Sequence, residues 1–453
     1  MRLEHPYLPQ TPEDTEAMLK AIGVSSVDEL FECLPQELRL KGALNLPQHL
    51  TEMELKAAFQ ALSFANRSTW NLDQYLGAGA YEHYSPSVVR HLLGRSEFYT
   101  SYTPYQPEMT QGVLQAIFEY QSCMCALTGM DVSNASLYEG GHALAEACLM
   151  ARARTSRNKV VVSAGIHPES LQVLKTYTRN LDTEIVVAPL GPDGRTDRAA
   201  LARLVDAKTA AVALANPNFF GMIEDTAAFA DPIHAVGALY VLSAEPVSLA
   251  LLKSPGEAGA DIACGEGQSL GIPLGYGGPY LGFLAARTEL ARQMPGRICG
   301  QTKDNRGQRA FVLTLQTREQ HIRREKATSN ICTNETLLAL AATFHLAALG
   351  PQGLRDVAEQ GAQKAHYLVS ELERLGVRPS YSGPWFNECT LDLGREAAPV
   401  LKALEAKGIL GGVPLTKYFP ERTREILVAV TEVKGRAKLD RFAVALGEIL
   451  AKA

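Results

Sequence analysis

Lys159–Gly165 reads KVVVSAG, and the chain beyond it repeats the theme: Glu184–Leu190 is EIVVAPL, Thr209–Ala215 is TAAVALA and Ala238–Ser243 is ALYVLS. Each run is short and apolar with no polar alternation, the pattern of a strand buried on both faces. Helical stretches separate them, Pro168–Arg179 and Asp197–Val205, with a Gly191-Pro192-Asp193-Gly194 turn between the second strand and the second helix. Asp261–Cys264 adds a further candidate strand. Strands alternating with helices predict a mostly parallel sheet covered on both sides.

Working outward, Val113, Ile117, Tyr120, Met124 and Leu127 recur at steps of four and three. That spacing predicts a helix over 110–129 with one apolar stripe, closed by Gly129. A second helix follows Gly140-Gly141 and runs to about Arg157. Nearer the start, Thr11 and Asp14 around Pro12 read as a helix N-terminus, and Gly23 as its stop. Ser26 opens a shorter helix that ends before Pro35. Past residue 330 the pattern predicts helices over 334–348, 361–375, 396–407 and 436–450, with strands at Phe386–Leu393 and Ile426–Thr431. The expected organisation is a helical arm over 1–95, a large α/β domain over 96–330 and a small α/β domain over 331–453.

A chain of 453 residues is too long for one hydrophobic core, in line with two domains and an arm. With 46% hydrophobic residues, 21% charged residues and a net charge of -5, composition speaks against disorder and against a nucleic-acid partner. No apolar run is read as long enough to span a membrane, and MRLEHPYLPQTPEDTEAMLK has no leader-type apolar stretch, so a cytoplasmic protein is expected. The eight cysteines form no CxxC pair and are expected to be free thiols, with no metal site.

Several segments are chemically unusual: FYTSYTPYQPEMTQG at Phe98–Gly112, NASLYEGGHALAE at Asn134–Glu146, NPNFFGMIED at Asn216–Asp225, GIPLGYGGPYLG at Gly271–Gly282 and LQTREQHIRREKATSNIC at Leu315–Cys332. Together they resemble glycine decarboxylase, the P protein of the glycine cleavage system, most closely over residues 1–340. The likeness is to the first half of a fused P protein, the alpha-type subunit of the split form. It implies a fold-type I transferase of the pyridoxal phosphate (PLP) enzymes, an α/β protein with a mostly parallel sheet and a smaller C-terminal α/β domain. The implied reaction is decarboxylation of glycine, with the aminomethyl group passing to the lipoyl group of H protein.

The departure from that family lies at one position. A PLP enzyme binds its cofactor through a lysine imine, on a loop after a late strand. The cofactor-bearing half of the family carries His-Lys-Thr there, ahead of a Gly-Gly-Pro. Here the stretch is GEGQS, Gly265–Ser269, and Gln268 takes the lysine position. An amide nitrogen forms no imine. Glu245, in Leu242-Ser243-Ala244-Glu245, is a doubtful partner for a pyridinium nitrogen. The expectation is therefore a chain without its own PLP, paired with a PLP-bearing beta-type subunit as two such pairs, and working on glycine with lipoylated H protein.

Within that reading, the proline-stiffened loop offers Tyr102, Gln106 and Glu108 as catalytic contacts made in trans, in the partner's site. A rigid surface turn with tyrosine filler is the plainer alternative. Gly277 and Gly278, with Thr328 and Ser329, are expected phosphate contacts across the interface; a packing turn competes for the glycines. Tyr105, Arg318, Arg323 and Asn330 are candidates for substrate or interface contacts, against a solvated charged face. The start of the second helix would be an anion site, but Tyr138, Glu139 and His142 crowd it, and a vestigial site is expected. His167 reads as a packed strand-end histidine. Rival functions are a self-contained PLP decarboxylase or aminotransferase using Lys326, and a non-catalytic scaffold subunit.

Overall fold

A computed structural model describes residues 10–452. The first nine residues, where a leader was looked for, and residue 453 lie outside the described part. The chain divides into two compact units at Arg67/Ser68.

The first unit is built from the Pro12–Ile22 and Glu52–Ala65 helices, each opened by a reciprocal cap: Thr11 with Asp14, and Thr51 with Glu54. Gly23 closes the first helix with a left-handed backbone (φ +89°), as expected. The segment after Ser26 forms a single 3-10 turn, Val27–Phe31. No described residue of this unit is buried. Leu38, Leu46, Met53, Phe59 and Phe64 are all exposed, so the arm has no core of its own.

The second unit carries a seven-stranded sheet. Its strands are β1 Val132–Ser133, β2 Lys159–Ser163, β3 Glu184–Ala188, β4 Thr209–Asn216, β5 Leu239–Ala244, β6 Ile262–Glu266 and β7 Gly282–Ala286. The spatial order is β1-β7-β6-β5-β4-β2-β3. β7 runs antiparallel to both neighbours, and the remaining pairs are parallel. All four strands anticipated from the apolar runs at Lys159, Glu184, Thr209 and Ala238 are present, as is the one at Asp261. One face of the sheet packs on the Gly140–Thr155 helix through Val160, Val162, Ala213, Val241 and Cys264. The other face packs through Val161, Val212, Leu214, Leu242 and Ala263. The 110–129 helix is Gln111–Thr128, and Val113, Ile117, Tyr120 and Met124 of its stripe are buried.

Three features differ from the expectation. Residues 68–95, assigned to the arm, belong to the compact body: Asp73-Gln74 pairs with Ile409-Leu410, and Val89 is buried in a cluster with Leu354 and Ala358. Thr336–Glu373 comprises two helices that meet at a kink at Gly350 (φ +63°), in line with the two helices expected there. It also holds a stretch long and apolar enough to cross a membrane (mean hydropathy 1.4), against the reading that none exists. Alanines and leucines bracket a Gly-Pro there, and Ala339, Leu340, Ala341 and Ala342 are buried in the protein core. A hairpin of β8 Ile298–Lys303 and β9 Arg309–Thr314 was not anticipated. The small domain is a four-stranded antiparallel sheet, β10 Arg378–Pro379, β11 Glu388–Asp392, β12 Val413–Pro414 and β13 Glu425–Ala429, backed by Ala397–Ala406 and Arg436–Ala451.

β7 approaches the helix that begins at Gly140 so closely that only glycine fits at Gly282: a Cβ there would stand 2.6 Å from the Glu139 carbonyl oxygen. Gly282→Ala is expected to destabilise the chain by about 1–3 kcal/mol, read as a lower urea midpoint. An unchanged midpoint would mean the two backbones are free to separate.

Candidate functional site

The carboxyl ends of β4, β5 and β6 and the loop after β2 border a cavity of about 450 Å³. It is where an open α/β sheet binds ligands. Among the described residues, those lining it include five glutamates, Glu139, Glu169, Glu245, Glu266 and Glu388, and no lysine or arginine.

The helix that begins at Gly140 aims its free N–H groups at this cavity, the arrangement that ordinarily cradles a phosphate. Here the groups are taken. Gly141 N–H (2.5 Å) and His142 N–H (2.7 Å) donate to the Glu139 carboxylate, and Gly140 N–H donates to Glu266 (2.9 Å). Glu266 also accepts from Gln268 N–H and Leu281 N–H, both at 2.9 Å. Burial pushes the Glu266 carboxyl up to about 7 despite these donors. Tyr138 and His142, expected to crowd the mouth, do not line the cavity. They stack on each other at 4.5 Å, and His142 lies inside the protein, 3.3 Å from Glu146.

Gln268 is buried and saturated. Its amide nitrogen donates to the carbonyls of Tyr81 (3.0 Å) and Ile272 (2.8 Å), and its oxygen accepts from Tyr81 N–H (2.8 Å). The side chain works as a backbone staple. Tyr81 in turn donates its hydroxyl to Glu388 (2.8 Å) from the small domain, which also accepts from Ala78 N–H (2.7 Å). Burial raises Glu388 to about 7 as well. Glu245 turns back on its own loop, accepting from Val247 N–H (3.1 Å), Ser248 N–H (2.6 Å) and the Ser269 hydroxyl (2.7 Å). His167 donates from Nε2 to the Ala78 carbonyl (2.9 Å), accepts at Nδ1 from Glu169 N–H (3.1 Å), and is held below the ordinary histidine range by burial.

These residues do not fit a PLP molecule bound by this chain. A phosphate in the cradle would displace Glu139 and stand beside like charges. At 4 Å and an effective dielectric near 20, each like-charge contact costs about 4 kcal/mol. The helix dipole returns only about 0.3–1 kcal/mol, or about 2 in the best geometries. Repulsion wins.

The expected trans residues sit elsewhere. Tyr102, Gln106 and Glu108 are exposed on the loop before the Gln111–Thr128 helix, Tyr102 at 83%. The loop itself is anchored: Pro104 is buried, and Gln111 donates to the Pro107 carbonyl (2.6 Å) and to Phe311 (2.8 Å). Tyr105 puts its hydroxyl on Arg297 (3.1 Å). Gly277, exposed with φ +112°, lies at the cavity rim, next to Gly278 with φ +133°. Thr328 lines a separate small cavity, and Ser329 spends its hydroxyl on Glu146 (2.6 Å). Arg323, Asn330 and Lys326 are exposed and do not line the cavity. Arg318 is buried; its guanidinium donates to the carbonyls of Leu315, Met294 and Gly296, which makes it a clamp on local backbone. Sequence reading missed Glu266, Tyr81, Glu388 and Arg297. Glu266 was visible two residues before Gln268, whereas Tyr81 meets Glu388 across 307 positions with no local signal.

The sheet order and the cavity at its carboxyl edge define a fold-type I PLP-transferase architecture. Glutamate decarboxylase of Lactobacillus brevis shares it, with a TM-score of 0.69 at 12% identity over 92% of this chain and 96% of that one. The chain belongs to the glycine cleavage system P-protein family, whose model matches residues 5–446 and so takes in the C-terminal third. It is similar to the probable glycine dehydrogenase (decarboxylating) subunit 1 of Brevibacillus brevis, 49% identical over 99% of each chain. It is also similar to a crystal structure of glycine decarboxylase (P-protein) of the glycine cleavage system in inhibitor-bound form, with a TM-score of 0.90 and 43% identity over 98% of this chain and 100% of that one.

Glu388 gives this site a pH signature. Burial lets Glu388 keep its proton up to about pH 7 in the folded chain, whereas an ordinary glutamate loses it near 4.5. The native state thus binds more protons than the unfolded state over that window. Stability therefore falls as pH rises from about 4.5 to 7, by up to about 1.4 kcal/mol per pH unit from this group. Melting temperatures across pH 5–8 are expected to fall less steeply for Glu388→Gln than for the parent. Parallel profiles would show that the buried carboxyl does not hold its proton.

Proposed function

We propose that this chain is the subunit of a split glycine dehydrogenase (decarboxylating) that carries no PLP. With a second, PLP-bearing P-protein subunit it decarboxylates glycine, and the aminomethyl group passes to the lipoamide of H protein. The observation that carries the division of labour is Gln268. It stands where an imine lysine belongs, and all three of its side-chain hydrogen bonds hold the Tyr81 and Ile272 backbone. The acid-lined cavity beside it supports the same reading. When bound in the partner, PLP supplies the electron sink for loss of carbon dioxide.

This chain's own contribution is a rigid wall for the partner's cleft. The 102–108 loop is fixed at Pro104, Tyr105 and Pro107, yet Tyr102, Gln106 and Glu108 project into solvent. An anchored backbone with outward polar side chains suits contacts to a substrate held by another subunit, because the ordering entropy is met before the substrate arrives. Gly277 and Gly278 offer accessible backbone for a phosphate across the interface. The arm's apolar residues, exposed in this chain, suit burial against the second subunit, and a pair of such heterodimers is the proposed assembly.

The self-contained alternative is disfavoured because no lysine lines the cavity and Lys326 is outside it. A scaffold role is separated by kinetics. Glycine–bicarbonate exchange, measured per assembled complex, is expected to fall about thirty- to a thousand-fold for at least one of Tyr102→Phe, Gln106→Ala and Glu108→Gln, the loss of one oriented hydrogen bond of about 2–4 kcal/mol. If all three retain turnover within about twofold, under ~0.4 kcal/mol of barrier, the loop is structural and the trans contact is wrong.

A further inference from the structure

Two motifs noted in the sequence, the YTPYQPE loop and the segment ending TSNIC, converge on one side chain that neither contains. Arg297 precedes β8 and is 5% exposed. Its Nη2 donates to the Tyr105 hydroxyl (3.1 Å) and the Cys332 carbonyl (2.6 Å), and its Nη1 donates to Asn334 Oδ1 (3.1 Å). The guanidinium carbon lies 5.4 Å from the Tyr105 ring centroid. Asn334 passes the connection inward, donating to the hydroxyls of Ser136 (2.8 Å) and Thr336 (3.0 Å). Ala135 N–H donates to the Arg297 carbonyl (2.8 Å). One buried fork therefore joins the loop, the 332–334 segment and the strand-end backbone before Gly140.

Arg297 makes no ion pair with a carboxylate among the described residues, and its Nε is buried without a partner. Glu319 borders the small cavity that Arg297 also lines, but its carboxylate lies 3.5 Å from Nδ1 of His321 and forms no ion pair with Arg297. A buried charge held only by neutral acceptors is an expensive way to stabilise a fold, since apolar packing would do that better. What a guanidinium supplies and an apolar group does not is direction: a planar fork fixes several acceptors at set angles.

We propose that Arg297 is a positioning residue for the reaction, setting the conformation in which the 102–108 loop meets the partner's active site. This rests on the trans-contact reading above. Tyr105, half exposed, anchors the loop through its hydroxyl, and Tyr102, Gln106 and Glu108 are the loop's free exposed side chains. Arg297 touches none of these three and acts on them through Tyr105.

The test uses the assembled complex with its PLP-bearing subunit and H protein. Arg297→Met is expected to lower kcat for glycine–bicarbonate exchange about tenfold or more, with assembly intact on gel filtration. Arg297→Lys, which keeps the charge but loses the fork, is expected not to rescue it. Tyr105→Phe, which keeps the ring and loses the acceptor, is expected to lower kcat about threefold or more. Combining it with Arg297→Met should cost no more than Arg297→Met alone, because both remove one link. Should Arg297→Met fail to assemble, Tyr105→Phe and Arg297→Lys decide the matter. Full turnover in either, or strictly multiplicative losses in the double variant, overturns the proposal. If substitutions at Tyr102, Gln106 and Glu108 slow turnover while those at Arg297 and Tyr105 do not, this inference alone fails. If neither set matters, the trans-contact reading fails with it.

Discussion

Glu139 and Glu266 hold the N–H groups of Gly140, Gly141 and His142 at the start of one helix, and much of the site's character follows from that. In a cofactor-bearing protein of this architecture those donors are the natural seat of a phosphate. With carboxylates on those donors, the surrounding residues do structural work. Gln268 staples backbone, Glu245 caps its own loop, and Glu388 ties the small domain to the Ala78–Tyr81 segment. The cavity beside them is lined by carboxyl groups, with no lysine or arginine among its described lining residues.

The same economy governs the exterior. The loop proposed to act on the partner is braced from behind by Arg297, Gln111 and a buried proline, so its outward side chains need no support from one another. The arm is the opposite case: two well-capped helices with no buried residue, whose apolar side chains find no core within their own unit. Local sequence fixes their helicity, and a second surface is what would fix their place.

What was legible in the sequence follows from the range of the physics involved. Apolar runs reported five strands of the large sheet, and a four-and-three stripe reported the Gln111–Thr128 helix, because burial periodicity is local. The missing lysine was legible because imine chemistry admits no substitute at Gln268. β7 and the β8–β9 hairpin escaped, since Gly282–Ala286 and Ile298–Thr314 carry weak or mixed patterns whose pairing is set by tertiary context. The two helices meeting at Gly350 were legible as separate apolar stretches, because their periodicity is local as well. Arg318 read as a candidate substrate or interface contact; its burial against three carbonyls depends on Met294 and Gly296, more than twenty residues away. Arg297 had no motif at all, only partners brought together by folding.

The central claim is that the cofactor pocket of this chain is closed by its own carboxylates, leaving the PLP chemistry to a second subunit. The most direct measurement is the amount of PLP released from the purified, active complex after incubation with excess cofactor. The account predicts one PLP per pair of unlike subunits, with none retained by this chain when it is purified alone. Two per pair, or a stable PLP adduct on this chain alone, would contradict it.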